Sequence, residues 1–114
     1  MPAALRLVTT RLAANWLGTW RADNDGDSAS ASLAATAATS LAERGLTRSS
    51  AKPLRLAAAT VMLNVSTLAA SLAAATKAAS VRVIVRALGT EDDADVQFTL
   101  LAALGTLVCF LKAV

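Results

Sequence analysis

The side chains that most often carry out chemistry in proteins are scarce in this chain of 114 residues. It has no His and one Cys, and every acid except Glu43 lies in one of two short segments, residues 23–27 and 91–95. The first segment, DNDGD, alternates oxygen ligands as a calcium loop does. An EF-hand needs Gly at its sixth position and Glu at its twelfth, and this segment has neither. The sequence therefore predicts no metal site and no cofactor.

Combinations of side chains that catalyse reactions are missing as well. There is no His to pair with a nucleophile and no glycine-rich phosphate loop. We expect the two acidic segments to be solvated loops rather than an inward-facing pair of carboxylates. The single Cys109 lies in an apolar stretch, and we expect it to be a buried, inert thiol without a disulfide partner. The sequence predicts a protein without enzymatic activity.

Arginine and asparagine side chains on helical faces are the better candidates for binding. Arg11 and Asn15 are four residues apart, as are Arg82 and Arg86, so each pair shares one face of a helix. Arg82 and Arg86 form a candidate basic patch. The net charge of +3 suits an acidic partner, although solubility alone would explain it equally well. Nucleic acid is the weaker alternative, because aromatic residues are not interleaved with the basic ones.

The elements that position these residues are predicted to be helices, so the fold class is all-α. Hydrophobic residues make up 55% of the chain, mostly Ala and Leu, and there are two Pro. About five helices are expected: residues 3–20, a helix capped by Ser28 or Ser30 and ending at Gly45, one from Pro53 to about residue 75, residues 77–88, and residues 94–111. The fourth contains VRVIV, which also favours a strand.

Three details of the helix ends follow from residue types. Gly45 is expected in the left-handed conformation just after its helix. Gly89 is expected to close the fourth helix, and Thr90 with Asp93 has the spacing of a capping box for the last one. Each of these assignments can be tested against backbone geometry.

Two alternatives concern membranes and targeting. Leu56–Thr76 is a run of 21 uncharged residues, long enough to span a bilayer, but it contains Asn64 and several Ser or Thr, and its apolar residues are mainly Ala. We predict that it does not insert. Residues 1–20 also have the composition of a mitochondrial transit peptide. Their repetition further along the chain assigns them to the fold instead.

An internal repeat gives the strongest indication of architecture. LRLVTTRLAAN, residues 5–15, aligns with LRLAAATVMLN, residues 54–64, at an offset of 49, and Gly105 aligns more faintly with Asn64 at an offset of 41. Periods of roughly 40–47 residues are typical of armadillo and HEAT solenoids, in which one helix of each repeat lines a concave surface. Asn15 and Asn64 could there hold the backbone of an extended peptide. A packing contact to a neighbouring helix is the alternative.

Three segments of the chain resemble a known family. RLAANWL, LRLAAATVMLNVS and LLAALGTL are similar, in order and spacing, to the LRxLxN, IALATLxLNYS and RLLVALGTL segments of the PUL domain. That domain occurs at the C-terminus of phospholipase-A-two-activating protein and in some thioredoxin-like or desumoylating-isopeptidase proteins. The resemblance implies an armadillo-like array without catalysis. It also implies a basic groove that binds the acidic C-terminal tail of the hexameric segregase valosin-containing protein, in ubiquitin-dependent turnover in the cytoplasm or also the nucleus.

The resemblance also implies particular site residues. The matched positions are Arg11, Asn15, Thr60, Asn64 and the segment Leu104, Gly105, Thr106, Leu107, and Lys52 falls where the family often has a basic or polar residue.

Two positions depart from the family pattern. Thr99 replaces an Arg and Val65 replaces a Tyr, and Thr cannot make the bidentate contact of an Arg with a carboxylate. We expect residues 1–114 to form a single PUL-type domain that is part of a larger one, and to self-associate through exposed repeat faces.

Overall fold

The computed structural model describes residues 6, 7, 9–13, 15, 28–47 and 50–112, and every regular element among them is helical. The helical residues between 6 and 15 are termed α1. They are followed by α2 (Ser28–Gly45), α3 (Lys52–Ser66), a 3₁₀ turn (Ala69–Ser71), α4 (Ala74–Leu88) and α5 (Ala94–Lys112). The all-α prediction with about five helices is confirmed. The VRVIV segment is helical, within α4.

Some predicted features lie outside the described residues. These are the calcium-like segment 23–27, residues 3–5 and 16–20 of the predicted first helix, and the side chains of the proposed caps Ser28 and Ser30.

The helices form two layers. In one layer α3 packs on α5, and in the other α2 packs on α4, while α2 with α3 and α4 with α5 are packed across the layers. The helix α1 lies beside α3 and the end of α2, because residues of all three line a common cavity. The three segments related by the sequence repeat therefore lie on α1, α3 and α5. Stacking of alternate helices is the arrangement of an armadillo-like or HEAT-like array.

The interior packs large side chains of α3, α4 and α5 against the small side chains of α2. Met62 on α3 and Leu100 and Leu107 on α5 are fully buried, as is Ile84 on α4. The buried positions of α2 are alanines: Ala31, Ala35, Ala38 and Ala42. Their spacing of three or four residues keeps them on one face, so α2 approaches the core closely.

Gly45 is a point of close approach rather than a left-handed cap, so that prediction was wrong. It is the last residue of α2 and is buried. A Cβ atom added to it would lie 2.9 Å from the Cβ of Ala58 on α3. Glycine fits there because the side chains of Ala58 and Leu54 on α3 occupy the space that a Cβ atom would need. Gly89 does follow α4 as predicted, with right-handed backbone angles.

The third helix ends earlier than predicted. Instead of continuing to about residue 75, α3 stops at Ser66, and a corner separates it from α4. The hydroxyls of Ser66 and Thr67 donate to the carbonyls of Leu63 and Asn64, respectively. The carbonyl of Asn64 thereby gains a donor, because the N–H of Leu68, which would bond to it in a longer helix, bonds to Val65. The uncharged run is thereby divided between two helices. None of the described helices is long and apolar enough to cross a membrane.

The start of α5 also differs from the prediction. Asp93, rather than Thr90, is the capping residue, and its Oδ1 accepts the backbone N–H groups of Asp95 at 2.9 Å and Val96 at 3.2 Å. The Thr90 hydroxyl instead donates to the carbonyl of Ala87 at the end of α4. The predicted capping box was displaced because the helix begins three residues later than that motif requires.

Substitution of Gly45 tests the close approach of α2 and α3. We expect Gly45→Ala to lower the free energy of unfolding by about 1 kcal/mol, because overpacking against Ala58 outweighs the gain in helix propensity. Gly105, in the middle of α5, has open space where its Cβ would be. Gly105→Ala is the matched control and should raise that free energy by about 0.5–1 kcal/mol. Chemical denaturation measures both values, and equal stabilisation by the two variants would contradict the contact.

Candidate functional site

A groove between α1 and α3 contains most of the predicted binding residues. It has a volume of about 500 Å³ and is lined by Arg11, Asn15, Lys52, Pro53, Leu56, Ala57 and Thr60. Arg11 and Asn15 are one turn apart on α1, and Lys52, Leu56 and Thr60 are successive turns of α3, so two helical faces meet along the groove. We call this site the α1–α3 groove.

The α1–α3 groove combines an apolar floor with polar walls. Pro53, Leu56 and Ala57 supply apolar surface, and Arg11, Asn15 and Lys52 are exposed beside it. The guanidinium of Arg11 has no ion-pair partner among the described residues. Such a groove can contact apolar side chains and offer a cationic donor to a carboxylate at the same time.

The hydroxyl of Thr60 is already directed into its own helix. It donates to the carbonyl of Leu56 at 2.9 Å, so only its oxygen lone pairs are left for a ligand. A peptide N–H is a suitable donor for such an oxygen.

Asn64 is the one predicted groove residue that the structure does not bring into the groove. It lies one turn beyond Thr60 on α3 and is half-buried, but it is not among the residues that line the cavity. Its backbone carbonyl accepts the side chain of Thr67 at the corner.

Lys52 does not face the groove as an isolated charge. Its Nζ lies 3.0 Å from Oδ2 of Asp93 and 3.2 Å from Oδ2 of Asp95, both at the start of α5. The hydrogen bonds to Asp93 and Asp95 raise the pKa of Lys52. The hydrogen bond from Lys52, with that from the backbone of Val96, lowers the pKa of Asp93. An internal pair of acids therefore competes with any anionic ligand for this lysine.

A buried ion pair fixes the position of these acids. The Nε of Arg55 lies 3.0 Å from Oε1 of Glu91, whose side chain is only 3% exposed. Arg55 also donates from Nη1 to the carbonyl of Ser50 at 2.7 Å. The second carboxylate oxygen of Glu91 accepts the N–H of Asp93 at 3.1 Å. The expectation that residues 91–95 form a solvated loop was therefore wrong for Glu91 and Asp93.

Sequence reasoning missed this ion pair because its partners are 36 residues apart. The one available signal was Arg55 itself, the charged residue in an otherwise apolar Leu-Arg-Leu segment. A charge at such a position needs a partner when the helix is packed.

The other predicted basic residues lie on the opposite layer. Arg82 and Arg86 are exposed on α4, and both line a second cavity, of about 220 Å³, between α2 and α4. They share no lining residue with the α1–α3 groove.

One face of α5 is apolar and exposed. Phe98 is 76% exposed and Leu101 is 55% exposed. Cys109 is a free and exposed thiol, so the prediction that it is buried was wrong. The apolar composition of its segment misled the prediction, because α5 has more apolar positions than its buried face can hold. Among the described residues, no cluster of three or more metal-binding side chains occurs.

The described helices form a two-layer array with a lateral groove, which is the arrangement of a helical repeat domain. The chain belongs to the PUL domain family, which matches residues 1–113. PUL domains bind other proteins, so the family assigns this chain a protein-binding function. No curated protein and no solved structure matches the chain.

Removal of the buried carboxylate should destabilise the fold strongly. Glu91→Gln leaves the guanidinium of Arg55 half-buried without its counter-charge, and we expect the free energy of unfolding to fall by about 3 kcal/mol. Glu43→Gln is the control, because the pair that Glu43 forms with Arg86 is 3.5 Å long and exposed. That variant should change the value by less than about 1 kcal/mol. Urea denaturation distinguishes them, and similar small losses would contradict a structural role for Glu91.

The acid dependence of stability should report the contact between Asp93 and Lys52. Because the pKa of Asp93 is lowered in the folded state, the unfolded chain takes up its proton first as the pH falls. The stabilisation is thus complete above the ordinary pKa of about 4 and is lost as the pH falls through the lower folded value.

Asp93→Asn keeps a capping oxygen but removes the charge. It should flatten the loss of stability between about pH 5 and pH 2, as should Lys52→Gln. The double variant should resemble either single one. Melting curves across this range test it, and additive effects in the double variant would show that the two residues act independently.

Proposed function

We propose that the α1–α3 groove binds the acidic C-terminal tail of the segregase valosin-containing protein. The chain would act without catalysis as an adaptor in ubiquitin-dependent protein turnover in the cytoplasm. The observation that supports this proposal is the convergence of Arg11, Asn15, Lys52 and Thr60 on one groove. These residues come from two helices and correspond to the family positions identified in the sequence.

The polar atoms of the groove suit an extended acidic peptide. Arg11 can make a bidentate, charge-assisted contact with a carboxylate, which is stronger than a neutral hydrogen bond. Asn15 carries an amide that offers both a donor and an acceptor to a peptide backbone. Leu56 and Pro53 provide a surface for the apolar parts of the ligand. The proposed ligand is therefore held by one strong charge contact and several weaker ones.

The internal acids set how strongly an acidic ligand binds. Lys52 is 47% exposed at its side chain and Asp95 is 72% exposed, so the pair can open toward solvent at little cost. A ligand carboxylate that reaches Lys52 must replace Asp95 or share the lysine with it. Asp95 also repels the approaching tail through its own charge.

The family Arg that Thr99 replaces is not compensated at that position. The hydroxyl of Thr99 donates to the carbonyl of Asp95 at 3.0 Å and so remains bound to its own helix. In this proposal, the charge contacts with the tail come from α1 and α3 rather than from α5. Arg11 then becomes the most important single residue for affinity.

The test is a fluorescence-anisotropy titration with a labelled peptide of the acidic segregase tail. We expect saturable binding, and a scrambled peptide of equal charge should bind much more weakly. Arg11→Gln should weaken the binding of the native peptide at least about tenfold, because a charge-assisted contact is lost. Arg44→Gln is the matched control: Arg44 is exposed on α2 and does not line the groove. If both variants lose the same amount of peptide affinity, the loss reflects the overall charge of the chain and not a contact made by Arg11.

The same titration tests whether Asp95 competes with the peptide for Lys52. Asp95→Asn should tighten peptide binding several-fold, whereas Asp92→Asn, with the same change in net charge, should have a smaller effect because Asp92 makes no ion pair among the described residues. If the native peptide does not bind the unaltered chain, the proposed ligand is wrong. If it binds but the two variants behave alike, only the competition by Asp95 is wrong.

A structural role in helical assembly is the second proposal. The exposed Phe98 and Leu101 on α5 support it, since a surface of this kind favours contact with another helical repeat. Sedimentation velocity on the titration samples detects self-association directly, and a monomer at all concentrations would exclude it.

A further inference from the structure

A trough on the outer layer runs between α2 and α4. It consists of the cavity of about 220 Å³ and a neighbouring one of about 340 Å³, which share Glu43, Val83 and Arg86. The smaller cavity is rich in hydroxyl groups. The larger one is lined by Leu46, Val83 and Ala87 together with two charged and two hydroxyl-bearing side chains, and most of its lining surface is apolar. We call the two together the α2–α4 trough.

The floor of the polar end is unusual for this helix pair. Thr39 on α2 and Ser80 on α4 are both buried, and their hydroxyl oxygens are 3.4 Å apart. Ser80 also donates to the carbonyl of Thr76 at 3.0 Å. Each of these buried oxygens therefore has a hydrogen-bond partner, and the two hydroxyls form a polar floor whose remaining lone pairs face the cavity.

Further donors surround this floor. The hydroxyls of Ser40 and Thr76 line the cavity and form no hydrogen bond within the described part of the chain. Arg82 and Arg86 stand one turn apart on its rim. Arg82 has no ion-pair partner among the described residues. The polar end thus presents two guanidinium groups and several hydroxyl groups to one small volume.

One acid is present, and its effect is limited. Glu43 lies 3.5 Å from Nη1 of Arg86, and the two side chains are 51% and 77% exposed. This distance is longer than that of a strong charge-assisted bond, and exposed pairs contribute little. With two arginines and one glutamate, the trough carries a net positive charge. An incoming dianion can displace Glu43 from Arg86 without uncovering a buried charge.

We propose that the α2–α4 trough binds a phosphorylated serine or threonine of a partner protein. Its phosphate would receive hydrogen bonds from Arg82, Arg86 and the hydroxyl groups, and a neighbouring apolar residue would occupy the larger cavity. A tetrahedral dianion accepts several donors at once, which is how arginine clusters recognise phosphate. The continuation into an apolar cavity favours a peptide over a nucleic acid, which presents a line of phosphates. This site is separate from the α1–α3 groove and does not depend on the function proposed for it.

The test uses capped phosphoserine, N-acetyl-phosphoserine-N-methylamide, in an NMR titration of the ¹⁵N-labelled chain at constant ionic strength. We expect saturable shifts of the amides of residues 36–43 and 76–86. Capped serine should cause none, and capped aspartate and inorganic phosphate should bind more weakly. Arg82→Gln should weaken phosphoserine binding at least about tenfold. Arg44→Gln, which removes a charge outside the trough, should change it less than twofold.

Three results would overturn the proposal. Shifts spread over the whole surface would indicate nonspecific attraction, as would equal losses in the Arg82 and Arg44 variants. Stronger binding of a single-stranded oligonucleotide at these amides, with a steep dependence on salt, would identify a polyanion surface instead. A second variant, Ser40→Ala, guards against misfolding as an explanation, since it removes a donor without changing charge and should weaken binding while the melting temperature is kept.

Discussion

The ion pair between Arg55 and Glu91 is the interaction on which the arrangement of α3 and α5 depends. Glu91 accepts from Arg55 through both carboxylate oxygens, and its second oxygen also accepts the N–H of Asp93. Its backbone carbonyl accepts the side chain of Gln97 at 2.7 Å. One buried carboxylate therefore holds the start of α5 against α3. Asp93 can cap its helix and reach Lys52 because this loop is held in place.

The main effect of the ion pair is to fix how α3 and α5 are aligned along their axes. Its contribution to the attraction between the two helices is smaller. The contact between α3 and α5 is formed largely by Met62, Leu100 and other apolar residues, and such surfaces tolerate small shifts along the helix axes. A salt bridge with 3% exposure at its acid allows no such shift, because displacement would leave a charge buried without a partner. The ion pair also fixes the position of Lys52 in the α1–α3 groove, because Lys52 and Arg55 lie on the same helix, α3.

Sequence patterns predicted most of the fold and part of the site. They succeeded where a feature depends on residues close together in the sequence, and they failed where it depends on contacts between distant residues. Helix periodicity and the repeat are local signals, and they placed Arg11 and Asn15 on one face. Family resemblance added Lys52 and Thr60, which line the same groove. The contact of Lys52 with Asp95 joins residues 43 positions apart and depends on how two helices cross, so no local pattern contained it.

The errors have the same origin. Gly45 resembles a helix-ending glycine in sequence. In the structure its role is to leave space for Ala58 on α3, which lies too close for a Cβ atom at this position. Cys109 was assigned to the interior by its apolar neighbours, although a helix with apolar residues on more than one face must expose some of them. Composition indicates how much surface a helix could bury. Only packing decides which part is buried.

The two layers differ in how strongly their basic side chains are paired with acids of the same chain. This difference gives the chain two kinds of binding surface. In the α1–α3 groove, Arg11 has no ion-pair partner among the described residues, but Lys52 is held by Asp93 and Asp95, so a ligand that reaches Lys52 must replace these acids or share the lysine with them. In the α2–α4 trough, Arg82 has no counterion among the described residues and Arg86 has a weak one, so a ligand there gains nearly the full charge contact. A weakly held acidic peptide and a compact dianion are the ligands that these two situations favour. Because the sites lie on different layers and share no residue, occupation of one leaves the other accessible.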